Sequence, residues 1–240
     1  MEGIYNQDLA SIHDAGFTGF AQGAAPGLLK LLRTNGITAG LVVDLGCGSG
    51  VWAQELLSAG YQVFGIDISE FMVNIAREKV PGADFRIGNI FEADIPTCQA
   101  VTSLGECICY MVSDAGGGEA LSPLFERIYR ALPPGGLFLF DIAEPGQVQE
   151  GTTEYTCSEG AGWFISAEKE EHQGILTRRI VSFRRIGESY RRSGETHRLR
   201  LYDPAEIIAA LRKAGFQARV SHRYGSYNLP EAHSAFIARK

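Results

Sequence analysis

A short apolar run, Leu41-Val42-Val43-Asp44-Leu45, breaks at once into Gly46-Cys47-Gly48-Ser49-Gly50 and then into a helical pattern, Trp52-Ala53-Gln54-Glu55-Leu56-Leu57-Ser58-Ala59. A run that short and that apolar reads as a strand covered on both faces. Three glycines in five positions let the backbone pass close to a ligand, and the helix start offers free N–H groups to a carboxylate or phosphate. This unit predicts a strand–loop–helix layout in which the glycines serve either a ligand or a plain tight turn.

The rhythm continues. Gln62–Ile66 reads as a second buried strand, residues 69–79 as a helix capped by Ser69, and strands are expected near 83–87, 100–104 and 136–142, with a helix over 119–132 before the last of these. Strands alternating with helices predict an α/β fold, Rossmann-like, with a mostly parallel seven-stranded sheet and helices on both faces. Before it, residues 1–38 read as a helical segment of two helices separated near Pro26. The core is expected over 39–151. From 152 to 202 the pattern changes to three extended segments, Trp163–Glu168, Ile175–Ile186 and Tyr190–Tyr202, with turns at Gln173-Gly174 and Gly187-Glu188, which predicts an antiparallel β insert. Residues 203–240 resume with a helix from Pro204 and strands at 216–221 and 234–238 that complete the core sheet.

The 240 residues carry 22 basic and 28 acidic side chains, so the net charge of −6 gives no whole-chain affinity for a polyanion. With 45% hydrophobic residues the chain buries a core without staples. Its five cysteines, at 47, 98, 107, 109 and 157, include no Cys-x-x-Cys pair and no neighbouring His cluster, so neither a disulfide framework nor a metal site is expected. The first thirty residues lack the pattern of a secretory signal, and no apolar run approaches the roughly 20 residues needed to span a bilayer. A soluble, cytoplasmic protein is expected.

Asp67 ends the second strand, 21 positions after Gly46, where an acidic side chain faces the two hydroxyls of a ribose. A carboxylate only accepts hydrogen bonds, so a vicinal diol suits it, and adenosine binding is the reading. The glycines run Gly46-x-Gly48-x-Gly50, with Val51 where a dinucleotide fingerprint has its spacing completed, which argues against NAD. Asp44-Leu45-Gly46-Cys47-Gly48-Ser49-Gly50 closely resembles the signature of the class I S-adenosylmethionine-dependent methyltransferases, and the resemblance runs from about residue 40 to 142. It implies S-adenosylmethionine as cofactor, S-adenosylhomocysteine as product, and no metal. Carried over by position, Asp44 and the Gly46 backbone hold the methionine amino group, and Gly48 allows the close approach. Cys47 and Gly50 complete the loop, while Asp67 takes the ribose and Ile68 packs on adenine. Asn89 and Ile90 match the adenine-contacting turn, where acidic residues are commoner than Asn. Ser103 and Leu104 fall against the methionine moiety, and Gly105-Glu106 begin the acceptor site.

The chain lacks the Asn/Asp-Pro-Pro-Tyr and Pro-Cys patterns of base-methylating enzymes, so a small-molecule acceptor methylated at nitrogen or oxygen is expected. Candidate catalytic residues are His197 and Glu106 as bases and Tyr110, with Tyr190, as orienting groups. Tyr5, His13, Phe17 and Phe20 are expected to pack the first helix onto the sheet; the alternative that the resemblance implies is a lid over the cofactor, which Phe17 and Phe20 help make apolar. Cys107 and Cys109 read as packing residues. The insert holds eight arginines from Arg178 to Arg200 against Glu188 and Glu195. Alternation puts Arg179 and Arg185 on one face and Arg178 and Arg184 on the other, which fits solvated strands better than a phosphate-tracking stripe. The family implies that such an insert caps the acceptor site or pairs subunits of a homodimer. The alternatives are an RNA methyltransferase using those arginines and a non-catalytic S-adenosylmethionine-binding module.

Overall fold

The computed structural model describes residues 4–112 and 117–240. Two helices open it, α1 (Gln7–Gly16) and α2 (Gly19–Thr34). The break falls at Phe17-Thr18 and not at Pro26, which lies inside α2. Packing decides this: the backbone of Tyr224-Gly225 lies so close to the following Gly27 that a Cβ there would collide with it, and Leu28 and Leu32 are buried, so the helix is held across its missing N–H.

Strands β1 (Leu41–Leu45), β2 (Gln62–Asp67), β3 (Asp84–Ile87), β4 (Ala100–Ser103) and β5 (Leu137–Ala143) are parallel, with α3 (Val51–Ser58), α4 (Glu70–Lys79) and α5 (Gly117–Ala131) among their connections. The insert follows as β6 (Glu154–Gly160), β7 (Trp163–His172), β8 (Ile175–Ile186) and β9 (Ser189–Arg200), and the chain closes with α6 (Pro204–Lys213), β10 (Gln217–Ser221), the two-residue strands β11 (Arg223–Tyr224) and β12 (Tyr227–Asn228), and β13 (His233–Arg239). The main sheet has seven strands in the order β10-β13-β5-β4-β1-β2-β3, with β13 antiparallel to both neighbours. Leu28, Trp52 and Val73 from α2, α3 and α4 form one core, and Phe125 and Ile207 from α5 and α6 form the other, so both faces are covered. The fold is Rossmann-like, as the alternation predicts. Its strand order reverses between β1 and β4, the place where such sheets open a crevice at the strand ends.

The insert is a four-stranded antiparallel sheet, one strand more than its hydrophobic pattern shows. The extra strand, β6, is exposed along its whole length and carries no apolar alternation that could signal it. The β11–β12 hairpin is too short to leave a periodic trace. Register puts Arg178, Ser182, Arg184, Arg191, Glu195 and His197 on the insert face turned to the core, while Arg179, Phe183 and Tyr190 lie on the outer face. Among the described residues no helix is long and apolar enough to cross a membrane.

Candidate active site

The glycine loop leaves β1 in a conformation that glycine supplies. Gly46 has φ +78° and Gly48 φ +51°, both left-handed. A Cβ on Gly46 would strike the Cys107 sulfur, whereas one on Gly48 would meet nothing within 4 Å, because that position opens onto a cavity. The loop is pinned from below, where the Gly46 and Cys47 N–H groups donate to the Ile66 carbonyl at 2.7 and 3.0 Å.

Asp67 closes the loop from the side. Its two oxygens accept from Gly48 N–H and Ser69 N–H, each at 2.9 Å. Ser69 itself caps α4 by accepting from Met72 N–H, which frees Asp67 from capping. A carboxylate offers about four acceptor positions, so room remains for a hydroxyl donor. Burial holds its pKa above the usual carboxylate range, opposed by the N–H groups of Ser69, Gly48 and Ile68. Next to it Ile68 is 38% exposed, an apolar side chain without cover. With Asn89, Ile90 and Phe91 it lines a compartment of about 70 Å3. The Asn89 amide is engaged in its own turn, accepting from Phe91 N–H at 3.0 Å and donating to Glu92 at 3.2 Å.

Asp44 sits near the end of β1, buried, its carboxylate accepting one hydrogen bond among the described residues, from the Thr102 hydroxyl at 2.7 Å; that hydroxyl in turn accepts from the Trp52 indole N–H at 3.1 Å. Burial pushes its pKa up to about 7. A buried carboxylate so raised lacks a cation, and the amino group of a methionine is one. Asp44, Gly46, Cys47, Gly48, Asp67 and Leu104 all line a cavity of about 370 Å3 that shares Tyr5, Gly46, Asp67, Cys107 and Tyr110 with the smaller compartment. Gly50 caps α3 with φ +79°, packed on Ala76 and Val80 behind the loop. Ser103 is different from the residues expected beside it: its hydroxyl is fully buried, off the cavity wall, with no partner among the described residues.

The far wall comes from distant parts of the chain. Tyr5 enters from the N-terminal segment, its N–H donating to Glu195 at 2.7 Å and its carbonyl accepting from the Ser69 hydroxyl at 2.6 Å. Its hydroxyl meets that of Tyr110 at 3.1 Å. Burial raises the pKa of both, Tyr5 to about 12, so both stand as neutral hydroxyls. His13, Phe17 and Phe20 line the cavity from α1, the α1–α2 junction and α2. Glu106 lines it too, but is committed: Arg178 donates to it at 2.9 Å and His233 at 2.6 Å, and these partners hold its pKa down at about 2 against burial. A carboxylate so held is a poor proton acceptor, which argues against the base role expected from sequence. His197 lies off the cavity. It is 1% exposed, hydrogen-bonded to Glu195 at 2.9 Å and packed behind Tyr5 and Tyr110, so it supports the wall and does not face an acceptor. Tyr190 is exposed on the outer face of the insert. Arg178, His233, Asp141 and Tyr227 also line the cavity, and no sequence signal marks them, since they meet only through the fold. Among the described residues no group of three or more His, Cys, Asp or Glu is placed to hold a metal.

This geometry joins a small compartment beside Ile68 to a larger cavity at the switch point of the sheet. Residues 42–136 match the model of a methyltransferase domain family. Residues 42–136 thus carry a methyltransferase domain, set in a Rossmann-like fold shared with solved methyltransferases. The chain is 27% identical over 191 residues to a putative methyltransferase, YqeM, of Bacillus subtilis, covering 74% of each chain. Over 240 residues it is 25% identical to a dTDP-3-amino-3,4,6-trideoxy-alpha-D-glucopyranose N,N-dimethyltransferase of Streptomyces venezuelae, covering 89% of this chain and 92% of that one. An S-adenosylmethionine-dependent methyltransferase from Clostridium acetobutylicum shares the fold, with a TM-score of 0.82 over 97% of both chains at 19% identity.

Proposed function

We propose that this protein transfers a methyl group from S-adenosylmethionine to nitrogen or oxygen of a small molecule, with the acceptor seated beside the donor's methionine end in the cavity of about 370 Å3. The donor supplies a methyl group on a sulfonium sulfur, an electrophile with an excellent leaving group, so the protein's tasks are alignment and exclusion of water. Asp67 and Ile68 hold the adenosine end, with Asn89 and Ile90 at the base. Asp44 takes the amino group and Gly46, Cys47 and Gly48 supply the cradle. Tyr5 and Tyr110 close the wall where the two spaces meet, and Phe17, Phe20 and Tyr227 keep the acceptor end dry.

The observation that carries this reading is the enclosure of the cavity by three separate parts of the chain, the N-terminal helices, the insert and the β12–β13 region, over the ends of β1 and β4. That space suits a small acceptor beside the donor and gives no track for a polymer. The arginines of the insert agree: Arg178 is tied to Glu106, Arg184 and Arg191 to Asp8, and Arg179 to Glu168 and Glu170, on opposite faces of the sheet. For an amine acceptor a proton must leave. His13 is the neutral imidazole on this wall, its pKa lowered to about 4 by burial. The test is transfer of labelled methyl from S-adenosylmethionine to a metabolite extract. A labelled small molecule is expected; label that appears only in RNA, or tight donor binding without any transfer, overturns the reading.

A further inference from the structure

The acceptor wall holds charges that the donor does not need. Arg178 reaches in from β8 and uses one terminal nitrogen on Glu106; its Nε is buried and finds no partner among the described residues. A guanidinium has five N–H donors in a planar fork, and a buried unpaired one calls for an acceptor. His233 stands on the other side of Glu106. Its Nε2 faces the Glu106 carboxylate at 2.6 Å and its Nδ1 faces the Glu231 carbonyl at 2.7 Å. Both of these close partners only accept, and the Gln147 amide nitrogen, 3.5 Å from Nδ1, donates to the Ala232 carbonyl at 2.7 Å, so both ring nitrogens donate and the ring is an imidazolium. Two cations therefore flank one carboxylate. Lys169 lies opposite Arg178 on β7 and adds positive charge behind it. The acid nearby, Asp141, is already used, accepting from Gly105 N–H at 3.0 Å, Glu106 N–H at 2.7 Å and the Tyr224 hydroxyl at 3.3 Å.

We infer that the methyl acceptor carries a carboxylate, which docks on the free side of the Arg178 guanidinium with His233 beside it. This rests on the cavity being the acceptor site, as proposed above. The net excess of one positive charge in the Arg178–Glu106–His233 group matches a monoanion. A phosphate monoester, with about −1.5 to −2 charges at pH 7, would overcharge a cavity that already contains Asp44, Asp67 and Asp141. A planar fork also matches a planar carboxylate with two parallel hydrogen bonds. Arg178 is thus a specificity-determining residue on the insert, and the insert contributes to acceptor choice.

The experiment is calorimetry on the full chain saturated with S-adenosylhomocysteine, titrated with acetate as the monocarboxylate, with inorganic phosphate and with chloride at matched ionic strength. Acetate is expected to bind more tightly than phosphate and chloride. The paired substitution Arg178→Met with Glu106→Gln, which removes both charges together, is expected to weaken acetate at least tenfold while S-adenosylhomocysteine binds as before. Glu106→Gln alone leaves Arg178 without its competing carboxylate and is expected to tighten acetate. Arg179→Met, on the outer face, is expected to change nothing. Acetate no tighter than chloride, phosphate tighter than acetate, or full acetate binding by the paired variant overturns the inference. Failure of S-adenosylhomocysteine to bind at the outset overturns the donor-site reading, and this inference falls with it.

Discussion

The two ends of the site are built by different means. The donor end is backbone and short range: a glycine loop, its pinning carbonyl and a carboxylate on the next strand, all between residues 44 and 91. The acceptor end is side chain and long range: Glu106 meets residues 72 and 127 positions away, and Tyr5 meets Glu195 across 190 positions. A backbone cradle tolerates many side chains around it and so serves a constant ligand. A side-chain cluster changes with single substitutions and so suits the part of a site that varies with the acceptor.

The comparison breaks most sharply at Glu106. Truncating one member of a buried, hydrogen-bonded charge group leaves the others unpaired, at a cost of about 3–5 kcal/mol. Glu106→Ala is therefore expected to lower thermal stability strongly, and Glu106→Gln less. The sign with pH follows from its depressed pKa. The stabilisation is complete above the ordinary Glu value of about 4.3 and is lost as pH falls toward about 2. Melting curves across that window should slope in the native protein and flatten in Glu106→Gln; equal slopes would show that the ion group contributes nothing.

At the donor end Asp67→Ala should act on binding. Loss of hydrogen bonds to a charged group costs about 1.5–3 kcal/mol, so S-adenosylhomocysteine should bind roughly ten- to a hundredfold more weakly in calorimetry. The acceptor-end groups stay in place, since Asp67 shares no hydrogen bond with Glu106, Arg178 or His233. Unchanged affinity would refute its assignment to the ribose.

These differences explain what could be read from the residues. Gly46, Gly48 and Asp67 lie within one crossover, and strand–loop–helix chemistry constrains them before any tertiary contact forms. The α/β alternation was legible for the same reason, through β1 to β5. Glu106 was visible by its place after β4, but its ion pairs were not, because Arg178 looks like one edge arginine among eight and His233 like a polar start to a last strand. His197 misled for the opposite reason. An imidazole on an insert strand resembles a base, yet register turns it against Glu195 behind Tyr5. Pro26 misled locally, because a proline that tertiary packing accommodates inside α2 carries the same signal as one that ends a helix.

A pH series sharpens the donor end further. Asp44 holds its proton up to about 7 in the folded protein, whereas the unfolded chain releases it near 3.9, so between those values its contribution to stability falls as pH rises. A cationic amino group favours the ionised form, so donor binding must displace that proton below about pH 7. Affinity for S-adenosylhomocysteine should therefore climb from pH 5 to 7 and level above it, by up to about tenfold per pH unit. Asp67, whose pKa burial also raises, faces the same space, so the control is Asp44→Asn, which should bind more weakly at pH 7 and lose most of the slope. A native profile as flat as that of Asp44→Asn would remove Asp44 from the amino-group site.

The smallest effect is expected where the two ends touch. Ser69 caps α4 by accepting from Met72 N–H and at the same time donates to the Tyr5 carbonyl, tying the N-terminal wall to the strand that carries Asp67. Loss of such a cap costs about 1 kcal/mol, which for a chain of this size lowers the melting temperature by about 2–4 °C. Ser69→Ala should show that loss together with faster proteolysis near residue 5, while Asp203→Ala, at the cap of α6 away from the cavity, should show the melting shift alone. If both variants leave the N-terminal segment equally protected, the tie from Ser69 to Tyr5 does not hold the wall, and the Tyr5 N–H bonds to Glu195 must hold it instead.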